Sequence, residues 1–330
     1  MEYYDIRANM YRHEAINIII GGRGIGKTYS LLSFMIESGK PFLYVRNTAV
    51  QMEESATNFG NPFKRISLDK GLDIFMKAEK KHYNIIDRSS GEDVVIGYGA
   101  ALSTFSNMRG VDLSDVAYIA FDEFIERRKL GFNQFDNFQQ MYETINRNRE
   151  LQGGEPLRAY LLSNSQTLQN DILMGYGLID RIQQMKERKE KIFRQPGLFL
   201  ELPESEVSLA KANTANYKLI KGTNSAREAL ENEFTADSYK NVGQKNINEY
   251  RPLCYAERDG YALYFWRHKS MPEIYAAQIP SMHGKIYESD NYPLFMHEYG
   301  MRLRAAAIRG LMYYQSYECK IAALNLLNLT

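Results

Sequence analysis

Cysteine and proline are scarce in this chain, with two and nine among 330 residues, and 41 basic against 40 acidic residues leave a formal net charge of only +1. Each shortage removes a class of protein. Cys254 and Cys319 stand alone, in no metal-ligand spacing, which excludes a zinc module or a disulfide scaffold and fits a reducing compartment. A near-neutral charge excludes nucleic-acid binding through general basicity, so any such contact must rest on local patches. No run is long and apolar enough to cross a bilayer, and the polar segment Met1–Arg7 has no signal core. Internal repeats and low-complexity segments are also lacking. The chain reads as a soluble, intracellular, globular protein with room for about two domains and an abundance of tyrosine.

What is present centres on residues 16–28. Ile16-Asn17-Ile18-Ile19-Ile20 reads as a buried strand, followed by Gly21-Gly22-Arg23-Gly24-Ile25-Gly26-Lys27-Thr28. Gly21, Gly26, Lys27 and Thr28 match the P-loop spacing, with Gly24 inside it. Glycines let backbone N–H groups close around phosphate oxygens, together with the first amides of the next helix. Lys27 is placed to reach the β- and γ-phosphates, and the Thr28 hydroxyl to ligate Mg²⁺. An ordinary strand-to-helix turn is the alternative. The amphipathic run Leu31, Leu32, Met35, Ile36, stopped by Gly39 and Pro41, supplies the helix that the motif requires. The loop predicts an ATP site.

Apolar runs at Phe42–Arg46, Val116–Phe121 and Leu157–Leu162 predict further strands, and Tyr83–Asp87 and Val94–Tyr98 a hairpin-like pair. Residues 47–80 read as helical and loop-rich, and Phe132 to Ile145 as an amphipathic helix. Strands alternating with helices predict an α/β fold, a parallel sheet covered on both faces. Residues 195–250 are polar and weakly periodic. Beyond them, Cys254–Ala256 and Tyr261–Trp266 flank an Asp259-Gly260 turn, and the last forty residues look helical.

A P-loop needs a partner carboxylate for Mg²⁺, and Asp122 closes an apolar strand where one belongs. Glu123 follows and is suited to polarise the attacking water, although acids also cap strand ends for no catalytic reason. Asn164, ending the next strand, is a candidate γ-phosphate sensor. Arg147 and Arg149 end the amphipathic helix, where the helix dipole alone favours cations. Arg109 precedes the Asp122 strand. Each of these arginines is a candidate for stabilising charge on a transferring phosphoryl group.

These residues resemble a known family. Ile19 to Tyr29, Phe121 to Ile125, Arg147 to Glu150 and Leu162 to Asn164 look like motifs of the double-stranded DNA packaging ATPases of small protein-primed (Salasvirus-like) podophages, relatives of terminase large subunits. The specific likeness covers roughly residues 15–165. It implies a P-loop motor of the additional-strand, catalytic-glutamate type. It also implies a homopentameric ring at the portal vertex of an empty capsid in the host cytoplasm, moving double-stranded DNA inward, with the C-terminal domain docked onto the vertex and its packaging RNA. By position Arg147 corresponds to the family's trans-acting arginine finger. Arg109 sits where the family has a second basic trans-acting residue, there a lysine.

The expected divisions are a motor domain at 1–195, a linker or lid at 196–230, and a C-terminal docking domain at 231–330. The resemblance makes the last a vestigial ribonuclease-H-like fold. Its strand Leu253–Ala256 carries no acid at its centre, and Glu273, Glu288, Asp290 and Glu298 are scattered, against the carboxylate cluster that two-metal cleavage needs. The alternatives are a terminase with a working nuclease and a P-loop switch that binds nucleotide without moving anything.

Overall fold

The computed structural model describes residues 2–108, 110–126, 130–230 and 233–329. Two compact units emerge, one formed by residues 1–171 and 185–236, the other by 172–184 and 237–330. Among the described residues no helix is long and apolar enough to cross a membrane.

The first unit is built on a nine-stranded sheet. Its elements in chain order are β1 Ile16–Gly21, α1 Lys27–Glu37, β2 Phe42–Arg46, α2 Ala49–Ser55, α3 Lys64–Lys70, β3 Ile74–Ala78, β4 Tyr83–Asp87 and β5 Val94–Ala101. Then follow β6 Tyr118–Asp122, α4 Gln134–Asn146, β7 Arg158–Asn164, β8 Ile192–Gln195 and β9 Leu198–Glu201; the chain between β7 and β8 forms α5 Asp171–Gly175 and α6 Ile179–Arg188, of which residues 172–184 belong to the second unit. Three short helices close the unit, α7 Glu206–Ala212, α8 Ala215–Leu219 and α9 Asn224–Leu230. The strand order is β3-β4-β5-β2-β6-β7-β1-β9-β8. The six strands from β5 to β9 run parallel, and the edge strands β3, β4 and β8 are antiparallel.

β1 is buried along its whole length, as its apolar run dictates. Its one amide, Asn17, is tolerated because its side chain accepts from the Glu14 N–H and donates to the Glu14 and Ala159 carbonyls. β7 lies between the P-loop strand and the Asp122 strand, so the additional strand expected beside β1 is present. Register sets Gly21 opposite Asn164 and Asp122 opposite Leu162, bringing three motif ends to one edge of the sheet. In α4, Asn133 caps the first turn, and Phe138, Met141, Tyr142 and Ile145 are buried, with Phe138 stacked on Phe121. The helix starts two residues later than expected, because the cap falls at Asn133 and leaves Phe132 outside.

Two differences from the sequence reading concern short strands. β3 lies within residues 47–80, read as helix and loop. β9 lies beyond the motor boundary expected at residue 195 and pairs in parallel with β1. Five and four residues are too few to display a period, and their pairing partners are distant in sequence. The N-terminal residues join the same edge: the Tyr4 N–H donates to the Ile25 carbonyl, and the Tyr4 hydroxyl to buried Glu201.

The second unit carries a five-stranded sheet of β10 Tyr250–Arg258, β11 Tyr261–His268, β12 Ile274–Ala277, β13 Lys285–Tyr287 and β14 Met312–Tyr314, ordered β13-β10-β11-β12-β14. The expected hairpin is present, with Asp259 and Gly260 both at positive φ in its turn. The helical tail is interrupted by β14. Around it lie α10 Tyr292–Phe295, a π-turn at Met296–Gly300, α11 Met301–Ile308 and α12 Tyr317–Leu326. Cys254 and Cys319 are buried in the core with Phe265, Phe295 and Leu303, and both are free thiols.

Candidate nucleotide-binding site

The loop after β1 turns on Gly24 at φ 72° and Gly26 at φ 99°, left-handed conformations that favour glycine. α1 opens at Lys27, and its N-terminus borders a cleft of about 350 Å³ lined by Arg23, Gly24, Gly26, Lys27, Thr28, Tyr29, Asp122, Glu123, Ser163 and Asn164. Such a loop has the geometry that can cradle a phosphate.

Lys27 is only 6% exposed. Its ammonium donates to the Gly21 and Gly22 carbonyls at 2.9 and 2.8 Å and to Asn164 Oδ1 at 3.1 Å. Burial lowers its pKa to about 8, against the opposing pull of Asp122 and Glu123. The Thr28 hydroxyl donates to Asp122 Oδ1 at 3.0 Å. A hydroxyl and a carboxylate in contact at the mouth of a phosphate loop are the oxygen donors that suit Mg²⁺. Burial raises the Asp122 pKa, and the Arg46 guanidinium beside it acts in the other direction.

Arg46 is a residue that the sequence reading missed. It ends β2, the neighbour of β6, and its side chain is 14% exposed. One guanidinium nitrogen lies 3.6 Å from Asp122 Oδ2 and the other donates to Glu123 Oε2 at 2.6 Å. Glu123 itself has φ 54°, left-handed backbone that a non-glycine residue adopts at a cost of order 1–3 kcal/mol. A web of amides holds it there. Asn47 donates to the Glu123 carbonyl at 3.0 Å, and Gln134 donates to Asn47 Oδ1 and to the Phe124 carbonyl.

Gly21, Gly24, Gly26, Lys27, Thr28, Asp122, Glu123 and Asn164 thus converge at the carboxyl edge of the sheet. Arg147 does not join them. It caps the C-terminus of α4, which runs back antiparallel to β6 and β7, and it lines a separate cavity of about 680 Å³ with Lys40, Tyr118, Arg149 and Arg158. Tyr118 and Arg158 are the first residues of β6 and β7, whose last residues are Asp122 and Asn164. Half-exposed Arg147 has one ion-pair partner among the described residues, Asp112 at 3.4 Å. Arg109 lies outside the described residues.

The model of the podovirus DNA encapsidation protein (Gp16) family matches residues 1–283. The chain belongs to that family. Relatives in the family range include the DNA packaging protein of Bacillus phage B103, 28% identical over 241 residues that make up 71% of this chain and 68% of that protein. The DNA packaging protein of Bacillus phage phi29 is 23% identical over 273 residues, 80% of this chain and 75% of the relative. Among solved structures, the Phi-28 gp11 DNA packaging motor superposes with a TM-score of 0.70 at 17% identity, covering 99% of this chain and 98% of that one. The bacteriophage Phi-29 viral genome packaging motor assembly gives 0.64 at 19% identity, covering 100% and 99%. At such identities these two structures speak for the fold: a P-loop sheet followed by a small C-terminal unit.

Proposed function

We propose that this family member is the ATP-driven motor that threads double-stranded DNA into a preformed phage capsid, acting in the host cytoplasm as a ring, a pentamer by resemblance, at the portal vertex. Thr28 and Asp122 would hold the Mg²⁺ of ATP·Mg²⁺, which neutralises charge on the phosphates. Lys27 leaves the Gly21 and Gly22 carbonyls for the β- and γ-phosphates, Asn164 follows the terminal phosphate, and Glu123 takes a proton from the attacking water. Arg147 completes the site of the adjacent subunit.

The observation that carries this reading is the division of the machinery within one chain. Seven phosphate- and metal-binding groups share one edge of the sheet while the expected arginine finger lies at the other. The small second unit is read as a docking module for the capsid vertex or its packaging RNA, without nuclease activity. Its acids hold other partners: Glu273 accepts from Tyr250 and Glu298 from Tyr287, while Glu288 and Asp290 are exposed.

ATPase activity measured with and without double-stranded DNA, alongside mass in solution, tests the proposal. Hydrolysis stimulated by DNA in an oligomeric ring is expected. A monomer that binds nucleotide and hydrolyses it slowly whether or not DNA is present would make the protein a switch, and Mn²⁺-dependent nicking would make it a nuclease-bearing terminase.

A further inference from the structure

The helices after the sheet fold back over the phosphate loop. A Cβ placed on Gly22 would meet the Ala229 carbonyl of α9 at 2.5 Å and Ser208 Oγ of α7 at 3.5 Å. One placed on Gly24 would meet Lys211 Nζ, also on α7, at 2.5 Å. Close approach of a backbone carbonyl requires glycine at position 22, whereas at position 24 the left-handed backbone favours glycine and what approaches it is a mobile cation. Lys211 donates to the Arg23 carbonyl at 2.6 Å, across 188 residues of sequence. Among the described residues no carboxylate forms an ion pair with it.

Its surroundings are positive. Lys211 and Arg23 together disfavour the charged form of Lys27, and burial and Arg23 lower the pKa of Lys211 itself. Three cations meet at one loop; Asp122 and Glu123 offset Lys27, while no carboxylate pairs with Lys211 among the described residues, which leaves its ammonium suited to a further anion. The geometry repeats that of Lys27, whose ammonium also rests on loop carbonyls, those of Gly21 and Gly22. The two lysines grip the loop at different points, Lys27 from α1 and Lys211 from α7. A lysine stem has four rotatable bonds, so an ammonium moves a few ångströms without displacing its helix.

We propose that Lys211 is a second phosphate-binding lysine, which exchanges the Arg23 carbonyl for the terminal phosphates of a bound nucleoside triphosphate. The segment 206–230 is then held on the loop most firmly when a γ-phosphate is present, and it loses that hold when the phosphate leaves. This inference rests on the reading of the loop as a nucleotide site.

The test uses the full chain with Mg²⁺ and either a non-hydrolysable ATP analogue or ADP. Lys211→Gln keeps an N–H donor for the Arg23 carbonyl and removes the charge, whereas Lys211→Arg keeps the charge. Calorimetry is expected to show triphosphate affinity weakened about tenfold in Lys211→Gln, the size of one charge-assisted hydrogen bond. ADP affinity should stay within about twofold, the nucleotide-free melting temperature should not change, and Lys211→Arg should bind as wild type. Hydrogen exchange in residues 206–212 should slow with triphosphate in the wild type and not in Lys211→Gln. Equal binding of both nucleotides by Lys211→Gln and wild type would overturn the proposal. So would parallel loss of both affinities with a lowered melting temperature, which would make Lys211 a structural tether. Lys27→Ala separates the two readings: if wild type binds nucleotide, Lys27→Ala does not and Lys211→Gln binds normally, the site stands and the Lys211 role falls. If wild type itself binds no nucleotide, the site falls with it.

Discussion

A mixing experiment on Arg147 and Glu123 tests whether each site is shared between two subunits. β6 carries Tyr118 at the cavity lined by Arg147 and Asp122 at the phosphate cleft. Those four strand steps span roughly 13 Å, farther than an arginine side chain reaches, so on the proposed reading Arg147 and Lys27 of one chain would not serve one nucleotide. Arg147→Ala leaves the chain's own loop intact and removes a charge offered to the adjacent site. Glu123→Gln leaves Arg147 intact and removes the water-polarising carboxylate. Each preparation alone should be slower than wild type by on the order of 10³-fold. In an equimolar mixture that exchanges freely, the subunit providing the cleft carries Glu123 in about half of cases. Its neighbour carries Arg147 in about half, so about a quarter of interfaces are whole, whatever the size of a closed ring. Steady-state ATPase should therefore recover to about a quarter of the wild-type rate. If Arg147 served its own chain, every site would carry one defect and no activity would return. Mixed assemblies verified by mass that stay inactive would refute the shared site and leave Arg147 as a helix-end cation paired with Asp112.

Three further outcomes follow from the geometry. Lys27→Ala should fold and lose ATP binding, checked by calorimetry, because no other described side chain occupies its buried place between the Gly21 and Gly22 carbonyls and Asn164. Arg46→Ala should lower stability by about 1–3 kcal/mol, because buried Asp122 loses its nearest cation and keeps only the hydroxyls of Thr28 and Tyr44, and adding Asp122→Asn should recover part of it in chemical denaturation. In the second unit, burial and then the Asp180 charge push the Glu318 carboxyl up to about 7 from 4.5. A raised carboxyl pKa means that the folded state holds the proton longer, so this group lowers stability as pH rises from about 4.5 to 7. The full shift corresponds to about 3 kcal/mol, reduced by partial solvent access to about 1–2 kcal/mol. Glu318→Gln should flatten the pH dependence of unfolding over that window and stabilise the protein above pH 7.

The legible part of the molecule was the part encoded locally. Gly21 to Thr28 specifies strand, turn and helix within a dozen residues, and Asp122-Glu123 declares itself by ending an apolar strand. Arg46 was illegible because its meaning depends on β2 lying next to β6, a pairing between residues some 76 apart in sequence. Lys211 sits in a polar segment with no period, and only the return of α7 over the loop gives it a role. The short strands β3, β9 and β14 failed for a different reason: three to five residues carry too little alternation to be seen, and their pairing partners decide their state. For Arg46, a usable signal existed, since an arginine ending a predicted strand of a P-loop sheet points toward the same edge as the phosphate loop.

The charged groups assigned to the nucleotide share one property. Lys27 holds two loop carbonyls and Asn164, Glu123 holds Arg46, and Lys211 holds the Arg23 carbonyl. Buried Lys27 would cost several kcal/mol without a partner, whereas exposed Glu123 and partly exposed Lys211 make their contacts at little cost. On the proposed reading, binding of ATP·Mg²⁺ would be an exchange of partners and not a simple addition of contacts. Its net free energy is the difference between new and old bonds, which keeps a site with this many charges from holding its ligand too tightly to turn over. The exchange also couples the elements. Freeing Glu123 requires Arg46 to give up one of its two carboxylates, and drawing Lys211 to a phosphate commits α7. On the proposed reading, hydrolysis would reverse both exchanges, so loss of the γ-phosphate would reset the β2 arginine and loosen the helices that follow the sheet.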